Sequence, residues 1–233
     1  MRRLVRDLSS VLIITGVLLL LDVAVTIAWQ EPVTAVIALV QRSELNTRFL
    51  SFRAVPLSPS ERTALTSLSN LPARIAFLAR REARRVPTGA AIGVIEIPRI
   101  GVRDDIVEGT DAASLERGPG HYPSTAFPGL GETVAIAGHR TTYLEPFRNI
   151  NELERGDRIA IDMPYADFTY AVQFQRVVSP DAWWITRNVG YERLVLSACT
   201  PLYSAAQRLV VFARLVRVRP TAVALSTPAL AKR

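Results

Sequence analysis

Leu194-Val195-Leu196-Ser197-Ala198-Cys199-Thr200-Pro201, followed by Gln207-Arg208-Leu209-Val210-Val211-Phe212, decides how this chain is read. Two apolar runs flank a loop from Thr200 to Ala206. They read as neighbouring strands, Arg193–Cys199 and Gln207–Val218. Cys199 is the only cysteine and ends the first run, and Arg208 opens the second. A lone cysteine at the end of an apolar strand is usually an inert core thiol. Here a guanidinium faces it across the expected hairpin, which is the pairing of a nucleophile with an oxyanion partner. A second strand end, Val134-Ala135-Ile136-Ala137-Gly138-His139-Arg140-Thr141-Thr142-Tyr143, adds an imidazole. The order is a histidine, a cysteine 60 residues on, and an arginine nine further.

Outward from these runs the hydrophobic period is two from Ala90 onward. Ala91–Ile97, Gly101–Val107, Thr133–Ala137, Asp157–Met163 and Asp167–Val178 read as strands. In the last, Phe168, Tyr170, Val172 and Phe174 alternate with Thr169, Ala171, Gln173 and Gln175. Asp111–Glu116 reads as a short helix, Pro146–Leu153 as helix or turn, and Ser179–Glu192 as a loop carrying Trp183 and Trp184. Many short strands with few helices indicate a β-barrel or sandwich.

These motifs resemble the sortases, the cysteine transpeptidases of Gram-positive bacteria, and within them the actinobacterial class E type. Ala137-Gly138-His139-Arg140-Thr141-Thr142, Val195-Leu196-Ser197-Ala198-Cys199 and Tyr203-Ser204-Ala205-Ala206-Gln207-Arg208-Leu209 carry the likeness, with Gly118-Pro119-Gly120-His121-Tyr122-Pro123 beside them. The resemblance spans roughly Ala90 to Val218. It implies an all-β fold, a closed sortase-like barrel with short helices. It implies Cys199 as nucleophile, His139 as acid/base and Arg208 as oxyanion stabiliser. It also implies cleavage of an LPxTG- or LAxTG-like sorting signal between Thr and Gly, with transfer to a peptidoglycan-precursor or pilin amine. One departure stands out. Val195 and Ala198 replace two threonines of the family's cysteine strand, and the second of those threonines borders the substrate in sortases. Arg140, Thr141, Thr142, Tyr143, Ala198, Thr200, Trp183 and Trp184 are the residues expected along the substrate groove. Of the two tryptophans, one is expected in the core and the other at the groove. His121 reads as structural or as a rim group, with His139 preferred as the base.

The N-terminal end reads differently. Val11 to Ala28 is almost wholly apolar, and with Ser9, Ser10 and Trp29 it reaches the ~20 residues that cross a bilayer as a helix. Arg2, Arg3 and Arg6 precede it and Trp29 can anchor its far end, so an uncleaved signal-anchor is favoured over a cleaved signal peptide. Asp22 inside the run is costly there. The basic residues Arg42, Arg48 and Arg53 weaken the charge asymmetry, so placing the catalytic domain outside the cell membrane leans on the resemblance. The expected organisation is a cytoplasmic tip and single-pass span (1–29), an extracytoplasmic helical linker (30–89), the catalytic barrel (90–218) and a tail (219–233). Within the linker, Val33–Val40 is a short apolar patch. Ser58-Pro59-Ser60-Glu61 is a capping box that opens one helix. Ala73–Arg85 forms another, whose basic end is expected to be a solvated face.

The net charge of +7 comes almost entirely from arginine, Lys232 being the sole lysine. No nucleic-acid motif gathers these charges, and an anionic membrane or wall polymer suits a tethered chain better. One cysteine excludes an intrachain disulfide and Cys-cluster zinc sites, and two histidines leave little for other metals, so no cofactor and no metal are expected. Two rivals compete with the sortase reading. One is a catalytically impaired binding module on the same scaffold. The other is an L,D-type peptidoglycan transpeptidase, whose arginine follows its cysteine far more closely than nine residues.

Overall fold

The computed structural model describes residues 2–29 and 56–225. Helix α1 (Arg2–Trp29) holds the apolar run. Its segment Arg6–Val25 has a mean hydropathy of 2.5, with none of it buried against protein, and is long and apolar enough to cross a membrane. The apolar patch at 33–40 and the tail beyond 225 lie outside the described residues.

Helix α2 (Pro59–Ser67) begins as the capping box requires: Glu61 N donates to Ser58 Oγ at 3.2 Å, and Ser58 N donates to Glu61 Oε2 at 2.8 Å. Helix α3 (Leu71–Arg85) is capped by Asn70. Leu65 from α2 and Ile75, Leu78 and Ala79 from α3 join the same hydrophobic core as the strands. The segment expected as a linker is therefore, from about residue 56, part of the barrel's own packing unit. The basic end of α3 is not uniformly solvated either. Arg81 is buried and paired with Glu61 at 2.8 Å and Glu82 at 2.9 Å. Glu61 is held down to about 2, chiefly by the Arg81 hydrogen bond. That partner comes from the preceding helix, so the run's own pattern concealed it.

Eight strands close into a barrel. They are β1 (Ala91–Ile97), β2 (Val102–Glu108), β3 (Gly120–His121), β4 (Thr133–Ala137), β5 (Arg158–Asp162), β6 (Ala166–Val178), β7 (Arg193–Thr200) and β8 (Gln207–Pro220). The order around the barrel is β1-β2-β3-β4-β7-β8-β6-β5, with β5 pairing back onto β1. The pairs β2/β3 and β4/β7 are parallel and the others antiparallel. β3 is too short for a periodicity to show in sequence. The run Asp111–Glu116 shortens to one helical turn, α4 (Ala112–Leu115), capped by Asp111. Pro146–Leu153 resolves into turns and a 3-10 turn at Ile150–Glu152.

Alternation assigns two faces. Phe168, Tyr170 and Val172 of β6, Leu194, Leu196 and Ala198 of β7, and Leu209, Val211 and Ala213 of β8 point into the main core. A register shift between Val172 and Phe174 reverses the phase of β6. Phe174, expected to be buried with its alternating neighbours, therefore points outward and stacks on Phe212 at 4.7 Å. On the outer face, Ala135, Val195, Val210 and Phe212 form a second cluster with Val178 and Ile185, roofed by the loop between β6 and β7.

Candidate active site

β4 and β7 run parallel with a constant offset of 60 residues, 133 beside 193 through to 137 beside 197. Gly138 N then donates to Ser197 O at 3.0 Å. His139 thus leaves β4 level with Cys199 at the end of β7. The spacing of 60 seen in the sequence is this register. Across the other edge of β7, Cys199 pairs directly with Arg208 of β8. Three chain segments bring the three expected residues to one rim of the barrel. Cys199 and His139 are half-buried, so the thiol is neither sealed in the core nor free in solvent.

Burial pushes the His139 imidazole below its ordinary value, and Glu116 opposes that. The link to Glu116 is structural: the Tyr143 ring lies 5.2 Å from His139, and Tyr143 Oη donates to Glu116 Oε1 at 3.1 Å. Tyr143, Leu144 and Glu145 all have left-handed backbones, with φ of 50°, 62° and 42°. Such conformations cost non-glycine residues of order 1–3 kcal/mol each, and they cluster at functional sites. The turn is held by Phe147 N donating to His139 O at 2.9 Å. Gly138 is required by the same packing, since a Cβ there would sit 2.4 Å from the Phe147 ring.

Arg208 is half-buried, and its Nη1 donates to Ala205 O at 2.9 Å and Gln207 O at 3.0 Å. Both carbonyls belong to the residues just before it, at the loop end and the first residue of β8. Among the described residues its Nε and Nη2 make no hydrogen bond, which leaves one edge of the fork for a ligand.

The residues expected along the groove divide. Thr141, Thr142 and Tyr143 are half-buried in the loop after His139, and Thr200 is half-buried beside Cys199. Ala198 does not line the groove: it is 3% exposed and points into the main core, because adjacent strand residues face opposite sides. Ser197 and Val195 share the face of Cys199 instead. Arg140 is only 6% exposed and turns inward. The tryptophans depart from the expected sharing. Trp184 stacks on Phe212 at 5.9 Å yet stays partly open, and Trp183 stands 81% exposed. Neither belongs to the core.

Sequence reading missed Glu116, Tyr122 and Ser197. Tyr122 Oη and Ser197 Oγ are 2.9 Å apart, on the cysteine face of β7. The alternation counted back from Cys199 was the available signal for Ser197. His121 is buried with both ring nitrogens occupied, Nδ1 at 2.8 Å from Glu108 Oε2 and Nε2 at 3.1 Å from Ala126 O. It is a structural residue. No cluster of metal-ligating side chains occurs among the described residues.

The sortase domain family model matches residues 95–216, more than half of the chain and all three segments that build the rim. The chain belongs to the sortase family. Sortase D of Bacillus subtilis is 37% identical over 133 residues, covering 55% of this chain and 66% of that protein. Sortase SrtE1 of Streptomyces coelicolor is 32% identical over 148 residues, 57% of this chain and 42% of that protein. The chain thus matches less than two thirds of the length of either relative. The crystal structure of Sortase E1 from Streptomyces coelicolor, with a tripeptide in its active site, superimposes with a TM-score of 0.55 at 31% identity, covering 57% of this chain and 91% of that one. The likeness to class E sortases read from the motifs thus extends to a solved class E barrel.

Proposed function

We propose that this sortase is a membrane-anchored cysteine transpeptidase acting on an LPxTG- or LAxTG-like sorting signal. The observation that carries the reading is the convergence of Cys199, His139 and Arg208 on one rim, through the β4/β7 register and the β7/β8 pairing. Cys199 Sγ attacks the carbonyl carbon between Thr and Gly, and its proton passes to His139. The oxyanion that forms accepts hydrogen bonds from the open edge of the Arg208 fork. The C–N bond then breaks, and His139 returns the proton to the glycine amine. An amine from a peptidoglycan precursor or a pilin lysine attacks the thioacyl carbon. It gives its proton to His139 and releases Cys199 as the new amide forms. Burial of His139 favours the neutral imidazole that must accept the first proton, while Glu116 favours the charged form once it is made.

Anchorage by α1 is supported by its 20-residue apolar segment and the arginines at its N-terminal end, with the barrel outside the cell membrane. The experiment uses the detergent-solubilised full chain with an LAxTG peptide and an amine acceptor, read by intact mass. A thioacyl adduct on the wild type, absent from Cys199→Ala, is expected together with amine-dependent product. Product from Cys199→Ala would end the assignment.

A further inference from the structure

Arg140 follows His139 in sequence, yet its side chain runs beneath the site. Nε donates to Arg148 O at 3.1 Å and Nη2 to Asn151 Oδ1 at 2.8 Å. Nη1 reaches Cys199 O at 3.3 Å and Thr200 Oγ1 at 3.2 Å. The backbone ladder between β4 and β7 closes at Gly138 and Ser197. The Arg140 side chain is the next rung, made from the residue beside the base to the carbonyl of the nucleophile itself.

The charge on this rung is unusual in its setting. Arg81, buried to the same degree, has two carboxylate partners. Among the described residues Arg140 has no carboxylate within ion-pair distance, and a buried cation without a counter-charge is costly. Burial and the neighbouring Arg148 both weaken its charged form, and Cys199 is the group that favours it. Arg193 shows that lack of a carboxylate is not enough by itself. It too is buried without one, but it sits at the opposite end of β7 from the thiol, against the Phe212 ring and two loop carbonyls.

We propose that Arg140 is a positioning residue for the transpeptidation, locking the backbone of Cys199 to the loop that carries His139 and placing a fixed positive charge behind the thiol. This rests on the reading of Cys199 as nucleophile and His139 as base. Among the described residues, the charged and titratable groups around the thiol are His139 and Arg140 on the β4 side and Arg208 on β8. Glu116 and Tyr143 stand behind His139, and Arg148 stands behind Arg140. Of these, Arg140 is the cation that grips the nucleophile's own carbonyl.

The test compares wild type, Arg140→Met and Arg140→Lys by two readouts, with folding checked by circular dichroism. The first is alkylation of Cys199 by iodoacetamide from pH 5 to 9, which needs no sorting peptide and reports one thiol because the chain has one. Arg140→Met removes the charge, so its alkylation curve moves to higher pH. Arg140→Lys keeps a charge, so its curve stays near wild type. The second readout is single-turnover formation of the thioacyl adduct. Misplacing a reacting group by about 1 Å costs about 10²-fold, and both variants are expected to lose about that much, because an ammonium cannot span four acceptors. Arg140→Met with the wild-type alkylation curve and acylation rate overturns the proposal. If Arg140→Met does not fold, Arg140→Lys decides, and acylation at the wild-type rate overturns it. Cys199→Ala separates the two readings: if it still turns over, the nucleophile assignment fails, whereas if it is dead and the Arg140 variants are normal, only this inference fails.

Discussion

Arg208→Lys separates a solvated strand charge from an oxyanion donor. In the resting structure the Arg208 fork is held by one nitrogen on the carbonyls of Ala205 and Gln207, at 2.9 and 3.0 Å. Both contacts are exposed, so their loss costs at most about 0.5–1.5 kcal/mol each. Losing both corresponds to a fall in Tm of about 2–12 °C, at about 2–4 °C per kcal/mol for a domain of this size. Losing one donor to a developing oxyanion costs far more in rate, about 10²–10³-fold. Lysine preserves the charge, and with it any long-range attraction of the peptide, but not the planar fork. The expected result is kcat/KM down by about 10²-fold or more, with Tm down by no more than that fall and Arg208→Ala no more than modestly worse. The assay is peptide cleavage under steady-state conditions, run beside thermal unfolding of the same preparations. A lysine variant near wild-type rate would remove Arg208 from the site, leaving Cys199 and His139 as a pair. A rate loss matched by an equal loss of folded protein would equally refute the argument.

Three further outcomes follow from the geometry. Gly138→Ala pushes a methyl to within 2.4–2.8 Å of three Phe147 ring atoms, and such overpacking costs about 1–3 kcal/mol, so Tm falls and peptide turnover falls with it; an unchanged Tm contradicts the packing. Tyr170→Phe removes the 2.7 Å hydrogen bond to the buried Glu192 carboxylate, whose other donors are the backbone N–H groups of Gly129 and Gly131. Burial already pushes Glu192 up and Tyr170 holds it down, so the variant loses about 1.5–3 kcal/mol, more at pH 8, where the carboxylate is charged, than at pH 5; a loss independent of pH in urea titrations refutes it. His139 is depressed in the folded state, so its contribution to stability is present above the ordinary histidine value of about 6.5 and is lost as pH falls through the folded value. The urea midpoint of wild type should therefore decline relative to His139→Gln between pH 8 and pH 5, and parallel curves would show that His139 is not desolvated.

What the sequence disclosed, and what it hid, follows the range of each interaction. The hairpin partnership of Cys199 with Arg208 and the strand end bearing His139 rest on local alternation, and each emerged close to its expected place. The inward turn of Arg140 depends on Arg148, Asn151, Cys199 and Thr200 together, so no local pattern contained it. The helices α2 and α3 were legible from the capping box and the run Ala73–Arg85, but their docking into the barrel core through Leu65, Ile75, Leu78 and Ala79 was not. Nor was the ion pair of Arg81 with Glu61, 20 residues away. Phe174 was misplaced because a single extra residue in β6 inverts the alternation that had been read as continuous.

The replaced threonines of the cysteine strand bear on whether this sortase has kept its chemistry. Had Ala198 lined the groove, a missing hydroxyl beside Cys199 would have favoured a non-catalytic binding module. Its side chain instead packs with Leu196, Leu209 and Val211 inside the barrel, where a hydroxyl would need a buried partner and a methyl needs none. Val195 does lie on the face of Cys199, but it is fully buried beneath the β6–β7 loop with Ala135 and Phe212. Both substitutions exchange polar for apolar atoms in dry surroundings, which is a change of packing rather than of groove chemistry. The position on the same face nearest the thiol is Ser197, and it keeps a hydroxyl, tied to Tyr122 Oη. The departure from the family pattern therefore falls where it leaves Cys199, His139 and the open edge of Arg208 untouched, and the feature that favoured a binding module loses its force.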